Sequence, residues 1–124
     1  MKHQVHCDED LIAWQKEMDL AVDVYEESPS GDFARHFALG HQIHSSAISI
    51  PSSLAEGFER ASRIEFRRFV TIAKGSAAEL RTQIELARRI RYLSEEKARR
   101  LRESAEEVSR IPGALRVSLA GDRR

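Results

Sequence analysis

Between positions 10 and 27 the apolar residues fall at Leu11, Trp14, Met18, Ala21 and Tyr25, steps of three and four that gather on one side of a helix. A first helix over Asp10–Glu27 is predicted, with Asp8 or Asp10 as its N-cap. Ser28-Pro-Ser-Gly-Asp32 ends it, because Pro29 disfavours helical geometry at the residue before it and Gly31 permits a turn. Leu39, Ile43, Ala47, Ile50, Leu54 and Phe58 then repeat the period straight through Pro51. The proline therefore sits inside a second helix beginning shortly after Asp32, where it cannot donate to the Ala47 carbonyl and predicts a kink. Gly57 suits the left-handed position that closes that helix.

Ser62-Arg-Ile-Glu65 has the form of a capping box, a helix start. From it Phe66, Val70, Ala73, Ala77, Leu80, Ile84 and Ala87 run to about Arg91, a helix of roughly 40 Å. Ala73, Gly75, Ser76, Ala77 and Ala78 crowd small residues into it, which suggests close backbone approach; a bend at Pro51 would then fit the Gly57 end of the second helix against this small face. Ser94 followed by two glutamates opens a fourth helix. Its stripe is Leu101, Ala105, Val108, Ile111 and Leu115, and Pro112-Gly113 should bend or end it. No period-two run is long enough for a strand. The expectation is an all-α, antiparallel up-down-up-down four-helix bundle.

A chain of 124 residues fits one domain, with the core over about 10–116 and residues 1–9 and 117–124 as tails. Its formal net charge is zero, so overall charge steers it toward neither nucleic acid nor membrane. The halves differ: residues 1–60 hold four Lys/Arg against eleven Asp/Glu, and residues 61–124 sixteen against nine. One cysteine, Cys7, and a start without an apolar leader segment point to the cytoplasm. No apolar run approaches a membrane span.

An up-down bundle would bring Arg88, Arg89, Arg91, Arg99, Arg100 and Arg102 to one end. Arg60, Arg63, Arg67, Arg68 and the terminal Arg123-Arg124 would gather at the other, with Lys74 a further cation on the third helix. These are the candidate contacts to RNA or DNA phosphates. The competing reading pairs them with acids, Glu26, Glu27 and Asp32 at the first end and Asp8, Glu9 and Asp10 at the second, within or between subunits.

Catalysis finds little support. Glu56 and Glu79 with Ser49 or Ser76 lack a histidine to activate a serine, and Glu56 is spaced to pair with Arg60 one turn on. His3, His6 and Cys7, or His41 with His44, supply too few ligands for a structural zinc. No catalytic residue, metal or cofactor is expected.

The segments SIPSSLAEGFER (Ser49–Arg60) and EFRRFVTIAKGSAAELRTQIELARRIRYL (Glu65–Leu93), preceded by LIAWQKEMDLAVDVY (Leu11–Tyr25), resemble the ribosomal S23 or 23S rRNA intervening-sequence protein family of bacterial four-helix bundles. The resemblance rests on Trp14, Gln42, Ser49, Ile50, Pro51, Ala55, Glu56, Gly57, Phe66, Phe69, Ala73, Gly75, Ser76, Glu79, Leu80 and Gln83. It implies a left-handed bundle that assembles as a homopentamer. Some members are encoded within 23S rRNA genes, and a distant relative, the accessory protein of diversity-generating retroelements, partners a reverse transcriptase and binds nucleic acid.

By that resemblance the chain is a non-enzymatic oligomer with a structural or accessory role. Its implied partners are copies of itself, RNA or DNA, and a reverse transcriptase or ribosome-associated protein. The alternative is a scaffold that binds a partner protein and no nucleic acid. Where the family usually has two basic residues after Gln42-Ile43, this chain has His44-Ser45, and Ser53 replaces a usual asparagine; the first change removes two cations from that face.

Overall fold

The computed structural model describes residues 8–27, 37–60 and 62–122, with side chains over 12–27, 37–60 and 62–110. Four helices follow one another, α1 (Asp8–Glu27), α2 (Phe37–Phe58), α3 (Arg63–Arg89) and α4 (Glu95–Asp122). Consecutive helices touch and α1 also touches α4, which closes an all-α bundle in which each helix has two neighbours. Contacts run in opposite order on neighbouring helices. Lys16 meets Glu107 while Glu27 meets Arg100 on α1 and α4, and on α2 and α3 Ser49 meets Ser76 while Gly57 lies beside Phe66.

The helix starts obey the capping chemistry. The Ser62 hydroxyl accepts the Glu65 N–H at 3.2 Å, and the Ser94 hydroxyl accepts the Lys97 N–H at the same distance. Both satisfy donors that the first turn leaves without partners. At the far end of α3 the left-handed residue is Arg91, with φ 65°. The Tyr92 N–H returns to the Ala87 carbonyl at 2.8 Å and the Arg91 N–H to the Arg88 carbonyl at 3.1 Å. This is the Schellman pattern, and it tucks Tyr92 and Leu93 into the core.

Three expectations change. Gly57 does not close α2 in a left-handed conformation, since no described glycine has positive φ. It lies within α2, where an added Cβ would stand 3.0 Å from the Phe66 ring and 3.1 Å from Phe69 Cβ. Its lack of a side chain serves helix contact, against aromatic residues and not against a small face. Gly75 gives the opposite correction, because a Cβ there would meet nothing within 4 Å; Ala73, Ser76 and Ala77 turn inward while Gly75 and Ala78 are exposed. Third, α4 does not end at Pro112-Gly113, one of the two outcomes expected there, but runs on to Asp122. A proline removes one helical bond and leaves the flanking bonds to carry the chain.

The inward faces of α2 and α3 follow their predicted stripes. On α1 the buried residues are Ala13, Glu17, Leu20, Ala21 and Val24, so the core face is turned about one position from the stripe through Trp14, Met18 and Tyr25. One cluster joins Ala13, Leu54, Phe66 and Val70, with Trp14 and Phe58 packed against it. A larger one extends from Leu20 and Val24 through Ile43, Ile50, Leu80 and Ile84 to Leu101 and Val108. Ile111 and Leu115 lie outside the described side chains, as do Asp8, Glu9 and Asp10.

Candidate functional site

The α3–α4 turn gathers basic residues, and the structure matches most of them with carboxylates. Arg88 binds Glu85 at 2.7 Å and Glu95 at 2.9 Å, and Arg89 shares Glu85 at 2.8 Å. Hydrogen bonds from Arg88 and Arg89 hold the Glu85 carboxyl down at about 2. Arg99 lies between Glu96 and Glu103 at 3.0 and 3.1 Å, and Arg100 reaches across to Glu27 of α1 at 2.9 Å. Arg91 and Arg102 have no ion pair among the described residues. Guanidinium groups already bidentate on carboxylates have few donors left for phosphate.

The other basic group differs. Arg60 pairs with Glu56 at 2.5 Å and stacks over the Phe69 ring at 4.8 Å, a structural strut where α2 gives way to α3. Arg63, Arg67, Arg68 and Lys74 have no ion pair among the described residues. Arg63, Arg67 and Lys74 fall at i, i+4 and i+11, on one flank of α3. Arg123-Arg124 and Asp32 lie outside the described residues.

The motif residues come together between helices. The Ser49 and Ser76 hydroxyls hydrogen-bond at 2.8 Å across α2 and α3. Two turns along the same seam, Gln42, Glu79 and Gln83 line a shallow groove with Leu39 and Leu86, and the Gln83 Oε1 is buried there without a hydrogen-bond partner. On the other side of α2, Trp14, Met18 and Pro51 line a second, apolar groove between α1 and α2. Pro51 thus faces α1, while the Gly57 end of its helix meets Phe66 and Phe69.

Among the described residues, the candidate serines and acids do not come together as a nucleophile with a base. Ser49 and Ser76 turn their hydroxyls on each other, Glu56 is tied to Arg60, and Glu79 lies in the separate groove. Among the described residues no three His, Cys, Asp or Glu side chains are grouped to hold a metal ion. His44 stacks on Tyr25 at 4.0 Å and His41 on Phe37 at 6.2 Å; burial, and next the charge of His41, lower the His44 pKa. His3, His6 and Cys7 lie outside the described residues. Among those described, no helix is long and apolar enough to cross a membrane.

One group escaped the sequence pattern altogether. Glu17 is fully buried and both of its carboxylate oxygens lack a hydrogen-bond partner. Burial pushes its pKa up to about 8, so the proton stays on it at neutral pH. The signal available in the sequence was its spacing, four after Ala13 and three before Leu20.

A protein-family model described as 23S rRNA-intervening sequence protein matches residues 9–114. Among solved structures, a protein with unknown function from the S23 ribosomal protein family of Bacteroides thetaiotaomicron VPI-5482 is similar in fold. It superposes with a TM-score of 0.79 at 22% sequence identity, over 86% of this chain and 96% of that one. No curated protein matches the chain.

Proposed function

We propose a function from one premise: the chain belongs to the 23S rRNA-intervening sequence protein family. It is a homo-oligomeric accessory protein without catalytic activity of its own, and α3 contacts the phosphate backbone of RNA or DNA. The observation that carries this reading is the contrast between the two basic groups. Arg88, Arg89, Arg99 and Arg100 are occupied by carboxylates, whereas Arg63, Arg67 and Lys74 share a flank of α3 without any among the described residues. Unneutralised cations at helical spacing are what a phosphate backbone attracts.

The pentameric state, the single-domain organisation and a cytoplasmic location belong to the same proposal, drawn from the resemblance and the sequence. So does a left-handed winding of the bundle, which the family resemblance implies.

Binding of the purified oligomer to structured 23S rRNA fragments and to duplex DNA across a salt series tests the reading. Submicromolar binding with a steep salt slope is expected, and reversing Arg63, Arg67 and Lys74 to glutamate should abolish it, while reversing Arg88 and Arg89 should change it little. No binding at low salt would end the nucleic-acid reading. It would leave a protein-binding scaffold, which the groove of Gln42, Glu79 and Gln83 favours.

A further inference from the structure

Two different apolar faces are exposed on adjacent sides of the bundle. On α3, Ile72, Ser76, Glu79, Gln83, Leu86 and Ile90 recur every three or four residues. This stripe borders α2, because Ser76 bonds Ser49 and Gln83 lines the groove that Leu39 and Gln42 share. Its Ile72, Leu86 and Ile90 are exposed. On the other side of α2, Trp14, Met18, Ile48 and Ser52 line the apolar groove against α1, and Phe37, Tyr25 and Ile48 are exposed along that face. The hydrogen-bonded Ser49 and Ser76 stand level and fix heights along the antiparallel α2 and α3. At about 1.5 Å per residue, Ile72 is level with Ser52, and to within about 3 Å Gly75 is level with Ile48 and Leu86 with Phe37. Gln83 likewise stands level with His44, on which Tyr25 stacks.

We propose that the α3 stripe of each copy packs against the α1–α2 face of the next copy, head to tail, around a closed ring. The contact rests on the homo-oligomeric reading above and adds to it the two surfaces that build the ring. Rotation about an axis along the bundle keeps every residue at its own height, so faces that meet must match level by level. These do. Ile72 enters the next copy's groove between Trp14 and Ser52. Ile48 of that copy lies over Gly75, where nothing stands within 4 Å of a Cβ position, and its Phe37 meets Leu86. The Gln83 Oε1, buried without a hydrogen-bond partner, accepts the next copy's Tyr25 hydroxyl, which has no hydrogen-bond partner among the described residues of its own protomer.

Charge and direction agree with this pairing. The groove face belongs to the acidic half of the chain, with four Lys/Arg against eleven Asp/Glu, and the stripe to the basic half, with sixteen against nine, so the two attract. Both faces share α2 and are turned roughly a right angle from each other. Neighbours around a five-membered ring lie about 108° apart, whereas opposite faces would build an open filament. The groove of Gln42, Glu79 and Gln83 thus takes a copy of this chain as its protein partner. Arg63, Arg67 and Lys74 lie on the other flank of α3, outside the contact, and nucleic-acid binding is separate from it.

Native mass spectrometry and light scattering of the full chain over a dilution series, together with disulfide trapping, test this. Ile48→Glu and Ile72→Glu each alter an exposed side chain and should raise the dissociation concentration about tenfold or more, with helical circular dichroism unchanged. Tyr25→Phe strands the Gln83 oxygen and should raise it about fivefold or more. In a Cys7→Ser background, co-expressed Ile48→Cys and Gly75→Cys chains should be joined by mild oxidation as pairs of one of each. Neither should crosslink alone, and the I48C/G75C chain should give a ladder that stops at five. A parent of five copies whose mass survives both glutamate variants, or whose mixed cysteines stay unlinked, would overturn the contact and leave the ring standing. Crosslinks between identical cysteines would show a two-fold contact and overturn it as well. A parent found only singly would overturn the ring itself, and the contact with it.

Discussion

Ser49 of α2 and Ser76 of α3 place their hydroxyl oxygens 2.8 Å apart in a partly buried seam, and each is the other's hydrogen-bond partner. Ser49→Ala and Ser76→Ala are each expected to lower stability by about 1 kcal/mol, because each leaves the remaining hydroxyl partly buried without its partner. The double alanine variant should lose less than the sum, by about 0.5 kcal/mol or more, since both polar groups are then gone. Urea unfolding of the three variants measures this coupling. Strict additivity would mean the hydroxyls find other partners.

Glu17 makes stability fall as pH rises. Its carboxyl is raised to about 8 in the folded chain from 4.5, so the folded state holds a proton that the unfolded state releases. The contribution is most favourable below about 4.5 and declines through the window up to about 8, at no more than about 1.4 kcal/mol per pH unit. Glu17→Gln cannot ionise and removes that decline. Urea melts at pH 5, 7 and 9 should show the variant gaining on the parent with each step, on the order of a few kcal/mol by pH 9. A difference that stays constant with pH would show that Glu17 is solvated as an ion.

The two family-motif glycines of α2 and α3 should respond to alanine with opposite sign. At Gly57 the new methyl would stand 3.0 Å from the ring of Phe66, which is buried and stacked on Phe58 with centroids 5.6 Å apart. That ring has little room to yield, so the expected net loss is about 1 kcal/mol after the gain in helix propensity. At Gly75 the space is open, so alanine should add about 1 kcal/mol to the stability of a protomer. Thermal melts of both variants decide the matter, and a stabilised Gly57→Ala would show that α2 and α3 can separate locally.

Much of this fold is legible in the sequence because α2 and α3 repeat apolar residues at helical spacing along their inward faces, even though Gly40, Ser46, Ser53, Gly57 and Ser76 are buried beside them. Ile43 through Leu54 and Phe66 through Ala87 give unbroken stripes, and Ser62 and Ser94 mark helix starts by chemistry that is local to a few residues. α1 reads less well, because its core face includes a glutamate. Polarity patterning counts Glu17 as solvent-facing, so the stripe shifts onto Trp14 and Met18, which border the apolar groove against α2, and onto Tyr25, which stacks on His44. The arginines are the least legible of all. Sequence spacing shows which could gather at one end, but whether Arg88 is occupied and Arg67 is not depends on the separations that packing sets between Glu85, Glu95 and their surroundings.

Arg91 separates the structural role of an arginine from a binding one. It occupies the left-handed position after α3 with φ 65°, a conformation that strains a residue with a Cβ by roughly 1 kcal/mol and suits glycine. Two hydrogen bonds hold it there, from the Arg91 N–H to the Arg88 carbonyl and from the Tyr92 N–H to the Ala87 carbonyl. Neither uses the side chain. Arg91→Gly should keep both bonds, relieve the strain and raise the melting temperature by roughly 4 °C, the shift that about 1 kcal/mol produces in a domain of this size. Nucleic-acid affinity should fall only by the small amount that one distant cation contributes, with a salt slope smaller by no more than about one unit. A steep loss of binding would instead place the phosphate contact at the α3–α4 turn, with Arg91 at its centre. An unchanged melting temperature would mean that the unfolded-state freedom of glycine offsets the relief, and Arg91→Asn, which tolerates the same conformation with less of that freedom, would then be the more stable variant.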